Sequence, residues 1–262
     1  MMRALYTAAS GMEAQQYNID TISNNLANVN TTGFRENDAR FQDLIYQTLR
    51  APGTPVGNNV VPVGQQVGLG VQVGSSEKIF TQGTLQQTSN PLDIAIEGDG
   101  FFQLTLPDGT TAYTRDGSFS LNANGTIVSS DGYFLQPQIT VPANATQVQV
   151  ATDGTVTALL PGQTQPQTLG QIQLARFVNN AGLAPQGSNN FTQTAASGTP
   201  TVSQPGLNGA GTLQSGYIEQ SNISVVEQMV GLITAQNAYD ANSKSITTAD
   251  DMLQTAVNMK QS

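Results

Sequence analysis

The sequence predicts an α+β protein: a discontinuous helical coiled-coil layer built from the N- and C-terminal segments, with a central antiparallel β-rich domain between them. Three observations predict it. The two long heptad-patterned stretches lie at opposite ends of a 262-residue chain. Between them apolar residues alternate at period two, as half-buried strands require. Asp-Gly and Asn-Gly pairs punctuate that middle region at hairpin spacing.

At the N-terminus Leu5, Ala8, Met12, Ile19, Ile22, Leu26 and Val29 recur at alternating steps of three and four, with Gln15 in the remaining seam position. That spacing places them on one stripe of a helix. At the C-terminus Val225, Met229, Leu232, Tyr239, Ile246 and Leu253 follow the same rule, interrupted by Gln236, Ser243 and Asp250. The expected helices run from Leu5 to Val29 and from Ser221 to Met259, roughly 38 and 58 Å long. Stripes this narrow and polar-spotted bury too little apolar surface to offset chain ordering. The two ends are therefore expected to pair and to become firm only against partners.

The first helix should break at Asn30-Thr31-Thr32-Gly33-Phe34, where Gly33 suits a left-handed stop. Residues 35–50 offer a short amphipathic piece with Phe41, Leu44, Ile45 and Leu49. Residues 51–70 read as an extended loop containing Pro52, Pro55 and Pro62. Strand patterns begin at Val71 and Val73 and continue through Leu92, Ile94 and Ile96, then Phe102, Leu104 and Leu106. The pairs Asp108-Gly109, Asp116-Gly117, Asn124-Gly125 and Asp131-Gly132, with Tyr113, Phe119, Ile127 and Phe134 in the runs between, predict an antiparallel meander. Further strands are expected near 148–150, 155–159 and 171–178, before a Ser/Pro/Gly/Asn-rich loop at 195–211. The expected organisation is an inner helical layer from residues 1–33 and 217–262, an extended linking segment at 34–74, and a β-rich domain at 75–216.

Composition narrows the function. With 10% charged and 6% aromatic residues, 26 Gly and 12 Pro, the core should be modest and turn-rich. The net charge is −9 and the nine Lys and Arg form no cluster, which removes a nucleic-acid or anionic-membrane footprint. No run of eighteen apolar residues occurs, and the opening residues lack an apolar core and a cleavage site. A cleaved secretory signal is not expected; the chain stays in the cytoplasm or leaves by another route. The absence of Cys suits a chain that crosses compartments unfolded, and equally a low-cysteine composition.

Without His or Cys the commonest zinc sites, the Ser-His-Asp triad and the Cys-His dyad are all removed. Glu97 and Asp99 could converge as a carboxylate pair but read as turn and edge residues. Gly68, Gly70 and Gly74 have the wrong spacing for a dinucleotide loop and read as strand and bend. The Asp-Gly pairs lack calcium-loop spacing. No catalytic, cofactor-binding or metal-binding residue is expected. Asn24, Asn25 and Asn28 are poor helix formers, and two readings stay open: polar contacts that fix helix register, or a fraying helix end.

The run Ser23-Asn24-Asn25-Leu26-Ala27-Asn28-Val29-Asn30-Thr31-Thr32-Gly33-Phe34 closely resembles the N-terminal signature of bacterial flagellar rod and hook proteins. Ala235-Gln236-Asn237-Ala238-Tyr239-Asp240-Ala241-Asn242-Ser243-Lys244, leading to Asp251-Met252-Leu253-Gln254, is similar to the C-terminal signature of the same family. Residues 90–102, 107–119 and 205–209 resemble its distal-rod members, and residues 47–66 resemble an insertion that separates the distal rod from the flexible hook. Asn237 stands where the family commonly has Arg, and Asp240 where it has Glu.

The resemblance implies a non-enzymatic structural subunit without cofactor, exported unfolded by the flagellar type III apparatus. Its copies would form a helical homopolymer that meets proximal rod and hook subunits, crosses the periplasm inside the peptidoglycan and outer-membrane ring proteins, and carries torque. The expected assembly residues are Leu5, Met12, Ile19, Ile22, Asn24, Asn25, Leu26, Asn28, Gly33, Phe34, Met229, Leu232, Tyr239, Asn242, Ile246 and Leu253. The alternatives are a hook or proximal rod subunit, an autonomous adhesin or fibre module, and a carbohydrate-active enzyme built on the β-region.

Overall fold

A computed structural model of the chain describes residues 2–53, 55–56, 59–60, 62–163 and 165–261. The chain divides into two compact units. Unit 1 comprises Met1–Ala27, Asn37–Glu77 and Ser224–Ser262; unit 2 comprises Asn28–Glu36 and Lys78–Ile223.

Unit 1 is built on two helices, α1 (Met2–Ala27) and α2 (Val225–Gln261), packed against each other. With 26 and 37 residues they span about 39 and 55 Å. The first helix stops where the sequence indicates: the Thr31 N–H donates to the Asn28 carbonyl, the Thr31 hydroxyl bonds the Asn28 side chain, and Gly33 takes a φ of +67°. The second begins at Val225 and not at Ser221, because Ser224 caps it. Its carbonyl accepts from the Gln228 N–H and its hydroxyl from the Glu227 N–H.

Residues 35–50 do not form the expected amphipathic piece. They form two strands, Asn37–Asp43 and Tyr46–Arg50, paired with Val71–Lys78 and Gln65–Gly68 respectively. Helical spacing of four apolar residues is a local signal, and strand partners supplied by the following forty residues override it. The expected loop at 51–70 is thus largely a two-stranded ribbon, continued by the short pair Pro55–Val56 and Asn59–Val60. Residues 54, 57, 58 and 61 of that loop lie outside the described residues.

Unit 2 is organised around the Phe101–Thr105 strand. It pairs antiparallel with Thr111–Thr114, with Phe134–Gln136, and at its start with Leu174–Arg176. Both faces are covered. Phe102 and Leu104 enter one core with Ile94, Ile96, Phe119, Ile127, Leu135 and Leu213, and Phe101 enters a second with Tyr113, Phe177, Leu183 and Phe191. Consecutive aromatics serve both faces because strand side chains alternate.

The meander differs from expectation at one corner. Three of the four Gly pairs sit at tight turns, but Asp116-Gly117 is a crossing. The Ile94 N–H donates to the Gly117 carbonyl, and a Cβ on Gly117 would overlap the Ile94 carbonyl oxygen. The chain therefore leaves the Thr111–Thr114 strand and runs through Phe119–Leu121, Ile127–Ser129 and Phe134–Gln136 to return on the other side of Phe101–Thr105. The expected 171–178 strand breaks at Ile172 into Gln167–Gln171 and Leu174–Arg176. The 195–211 loop contributes a strand, Thr201–Ser203, paired to Leu174–Arg176.

Candidate assembly interface

Three close approaches set the register of the helix pair in unit 1. Gly11 faces Asn242 so tightly that an added Cβ would lie 2.7 Å from the amide nitrogen. Gly231 faces Ile22, whose Cδ1 would lie 3.4 Å from an added Cβ. Asn25 donates to Gln228 Oε1 at 3.2 Å. Each advance along α1 is matched by an equal retreat along α2, so the helices run antiparallel in one register.

The expected seam is half right. Ala8 and Ile22 are buried and Gln15 half-buried, and Leu232, Tyr239, Ile246 and Leu253 are half-buried as expected. The second row of each helix sits one residue earlier than its apolar residues suggest. On α1 it passes through Gly11 and Asn25 instead of Met12, Ile19 and Leu26, which are half-buried on the flank. On α2 it is Gln228, Ala235, Asn242 and Ala249, seven apart, in place of Met229, Gln236, Ser243 and Asp250. Met229 is 53% exposed, and Gln236 and Asp250 face solvent. Hydrophobicity points to the wrong row because Gly and Ala carry little of it, yet small side chains are what let two backbones approach. The readable signal was the seven-residue recurrence of Ala and amide residues.

The three asparagines divide between the two open readings. Asn25, 1% exposed, fixes register: besides Gln228 its amide donates to the Asn37 carbonyl at 2.9 Å and accepts from the Asn37 N–H at 3.0 Å. It therefore ties α1, α2 and the Asn37–Asp43 strand together. Asn28 closes the turn after the helix, and Asn24 is on the exposed side. Half-buried Leu5 completes the helical set.

Gly33 and Phe34 belong to unit 2, in a buried joint. A Cβ on Gly33 would lie 2.6 Å from the Asp116 nitrogen, and the Gly33 N–H donates to the Glu219 carbonyl. Phe34 carries the Lys78 ammonium 5.1 Å above its ring. Next in sequence, Arg35 donates to Glu219 Oε1 at 2.7 Å, and Arg115 donates to Glu219 Oε2 at 3.3 Å. Side-chain exposures are 0%, 0% and 3% for Arg35, Glu219 and Arg115. The Gly83 N–H also donates to Glu219, and Arg115 donates to the Gly98 carbonyl while stacking over Phe101. Burial pushes the Arg115 guanidinium down to about 10, opposed by the Glu219 charge and assisted by that of Arg35, so it stays protonated at neutral pH. The three charges hold the segment after α1 onto the segment before α2. They were missed because residues so far apart in sequence leave no local pattern.

The carboxylates suspected of chemistry are separately engaged: Glu97 accepts from Gln214, and Asp99 sits 3.9 Å from Arg176. Among the described residues no group of His, Cys, Asp and Glu could hold a metal ion, and no helix is long and apolar enough to cross a membrane.

Comparison with known proteins bears on the same elements. Residues 5–35 match the family model for the flagella basal body rod protein, residues 95–158 that for the flagellar hook protein FlgE/F/G D1 domain, and residues 214–259 that for the flagellar basal body rod FlgEFG protein C-terminal region. The flagellar basal-body rod protein FlgG of Borreliella burgdorferi is 50% identical over 264 residues, covering all of both chains. That of Caulobacter vibrioides is 52% identical over 261 residues, 99% of this chain and 100% of the relative. The flagellar hook protein FlgE of Helicobacter mustelae is 46% identical over 142 residues, 52% of this chain and 30% of the relative.

Proposed function

The chain belongs to the flagellar basal-body rod protein family and is a structural subunit of the distal rod, and from that membership we propose how it builds one. Copies assemble into a helical tube whose inner coiled-coil layer is made by α1 and α2, and the tube carries torque from motor to hook across the periplasm. The observation that carries this reading is the imbalance of α2. One row of its seam is Gln228, Ala235, Asn242 and Ala249, while Val226, Met229, Val230, Ile233, Met252, Val257 and Met259 stay exposed. A helix that places small residues in one row of its seam and leaves seven large apolar ones exposed is suited to neighbours. Contacts between unlike patches on successive copies generate an open filament. Leu5, Met12, Ile19, Leu26 and Met229, on the flanks of the seam, take part in those contacts, and Asn25 and Asn242 keep the pair in register.

Proximal rod subunits, hook subunits and the surrounding ring proteins are the proposed neighbours, and export proceeds unfolded without a cleaved signal. The ribbon from Tyr46 to Gly68 supports a stiffening role. Ile45, Tyr46, Leu49 and Val63 are exposed on or beside it, and a two-stranded ribbon is marginal alone. Laid against an adjacent copy it would resist bending. Deleting residues 47–66 is expected to leave polymerisation intact and to give curved or supercoiled polymers by electron microscopy. Straight rods from the deletion variant would refute the stiffening role, and failure of the intact chain to form any pelletable polymer would refute self-assembly.

A further inference from the structure

α2 carries two apolar stripes, one at each end, the first outside its seam and the second continuing the seam row through Ala256. Val226, Val230 and Ile233 form the first; Met252, Ala256 and Met259 form the second. Both step by four and then three, so each occupies one face for about two turns. The five larger side chains are between 51% and 73% exposed. A single shift along the chain carries 226 to 252, 230 to 256 and 233 to 259. Two α2 helices lying side by side in the same direction, displaced by that shift, would bring all three positions of one stripe against all three of the other.

The second stripe also lies beyond the end of α1. Counting from Gly11 opposite Asn242, Met2 falls level with Asp251, so from Met252 onward no described residue of α1 runs beside α2.

We propose that the free end of α2 in one copy packs, in parallel, on the start of α2 in the next copy, Met252, Ala256 and Met259 against Val226, Val230 and Ile233. The inference rests on the rod reading and names the contact that propagates it. A second copy is the occupant for two reasons. The stripes match each other in length, spacing and phase, which an unrelated partner has no cause to share. In a filament whose copies are related by rotation about and translation along one axis, equivalent helices keep one direction, as the parallel match demands. Because the stripes differ, each contact leaves a free stripe at both ends of the stack. The pairing does not close.

Since the chain has no Cys, introduced thiols are unique. The experiment uses full-length Val230→Cys and Ala256→Cys, singly, mixed in equal amounts, and combined in one chain, polymerised and then oxidised with copper-phenanthroline. The expected result is at least tenfold more cross-linked dimer from the mixture than from either single variant, and a ladder of oligomers from the combined variant. Val226→Cys with Met252→Cys should behave alike, while Val226→Cys with Met259→Cys, out of phase by two turns, should stay silent. Dimer from Ala256→Cys alone equal to that from the mixture would mean a closed pairing of free ends and overturn the proposal. Pelletable polymer from both in-phase pairs without cross-links would also overturn it, leaving the rod reading intact. If the unsubstituted chain forms no polymer, the self-assembly reading fails and the contact falls with it.

Discussion

Replacing Glu219 with glutamine is expected to destabilise unit 2 by about 3–5 kcal/mol, because two guanidinium groups stay buried without their shared countercharge. Arg35 and Arg115 meet Glu219 at 2.7 and 3.3 Å with no side chain of the three more than 3% exposed. Burial already lowers the Arg115 guanidinium to about 10 against the opposing Glu219 charge, so losing that charge penalises its protonated form further. The measurement is denaturant unfolding, followed by hydrogen exchange of the Phe101–Thr105 core. Changing all three together, Arg35→Met, Glu219→Leu and Arg115→Met, should recover most of the stability, because a well-packed apolar substitute often equals a buried ion pair. If Glu219→Gln alone is neutral, the cluster is not what holds the joint.

The second large effect is expected at Asn25. Asn25→Ala removes a side chain bonded to both the N–H and the carbonyl of Asn37, and each group left unsatisfied costs about 1–3 kcal/mol. Cross-helix contact with Gln228 is lost as well. Both α-helices lie in unit 1, so ellipticity at 222 nm reports its unfolding separately from the β-core. The expected outcome is a lower melting temperature for the helical signal and slower polymerisation. An unchanged helical transition would return Asn25 to the reading of a frayed helix end.

How much of this was legible depends on the range over which each signal acts. The two helices and their pairing follow from heptad spacing, which is local and repeated. The seam row shifted by one residue because apolar residues were followed where small ones decide, as Gly11 opposite Asn242 illustrates. The start of α2 was written in the sequence as Ser224 followed three residues later by Glu227, a capping box that points past Ser221. In unit 2 the strands between 94 and 159 were mostly found but their order was not, and Ala184–Gly187, Asn190–Thr192, Thr201–Ser203 and Thr212–Ser215 were not anticipated. Asp116-Gly117 looks like a hairpin turn, and only the proximity of Ile94 makes it a crossing. The Arg35, Arg115 and Glu219 cluster joins positions 184 and 104 residues apart, beyond any pattern in a single chain.

An intramolecular helix pair would also suit an autonomous fibre module, so the pairing alone does not choose between that and a rod subunit. Identity of about half over the full length of basal-body rod proteins does. The hook reading fares less well, since the hook relative matches only 52% of the chain.

The most direct test of the central claim, that the terminal helices are the assembly layer, is limited proteolysis with mass mapping of dilute chain and of pelleted polymer. In dilute chain, early cleavage is expected beyond Asp251, where α2 extends past α1, and within the Tyr46–Gly68 ribbon. In polymer both regions should be protected while exposed turns such as Asp108-Gly109 are cut as before. Equal cleavage beyond Asp251 in the two states would contradict the account, because the free end of α2 would then be as open in the rod as in the single chain.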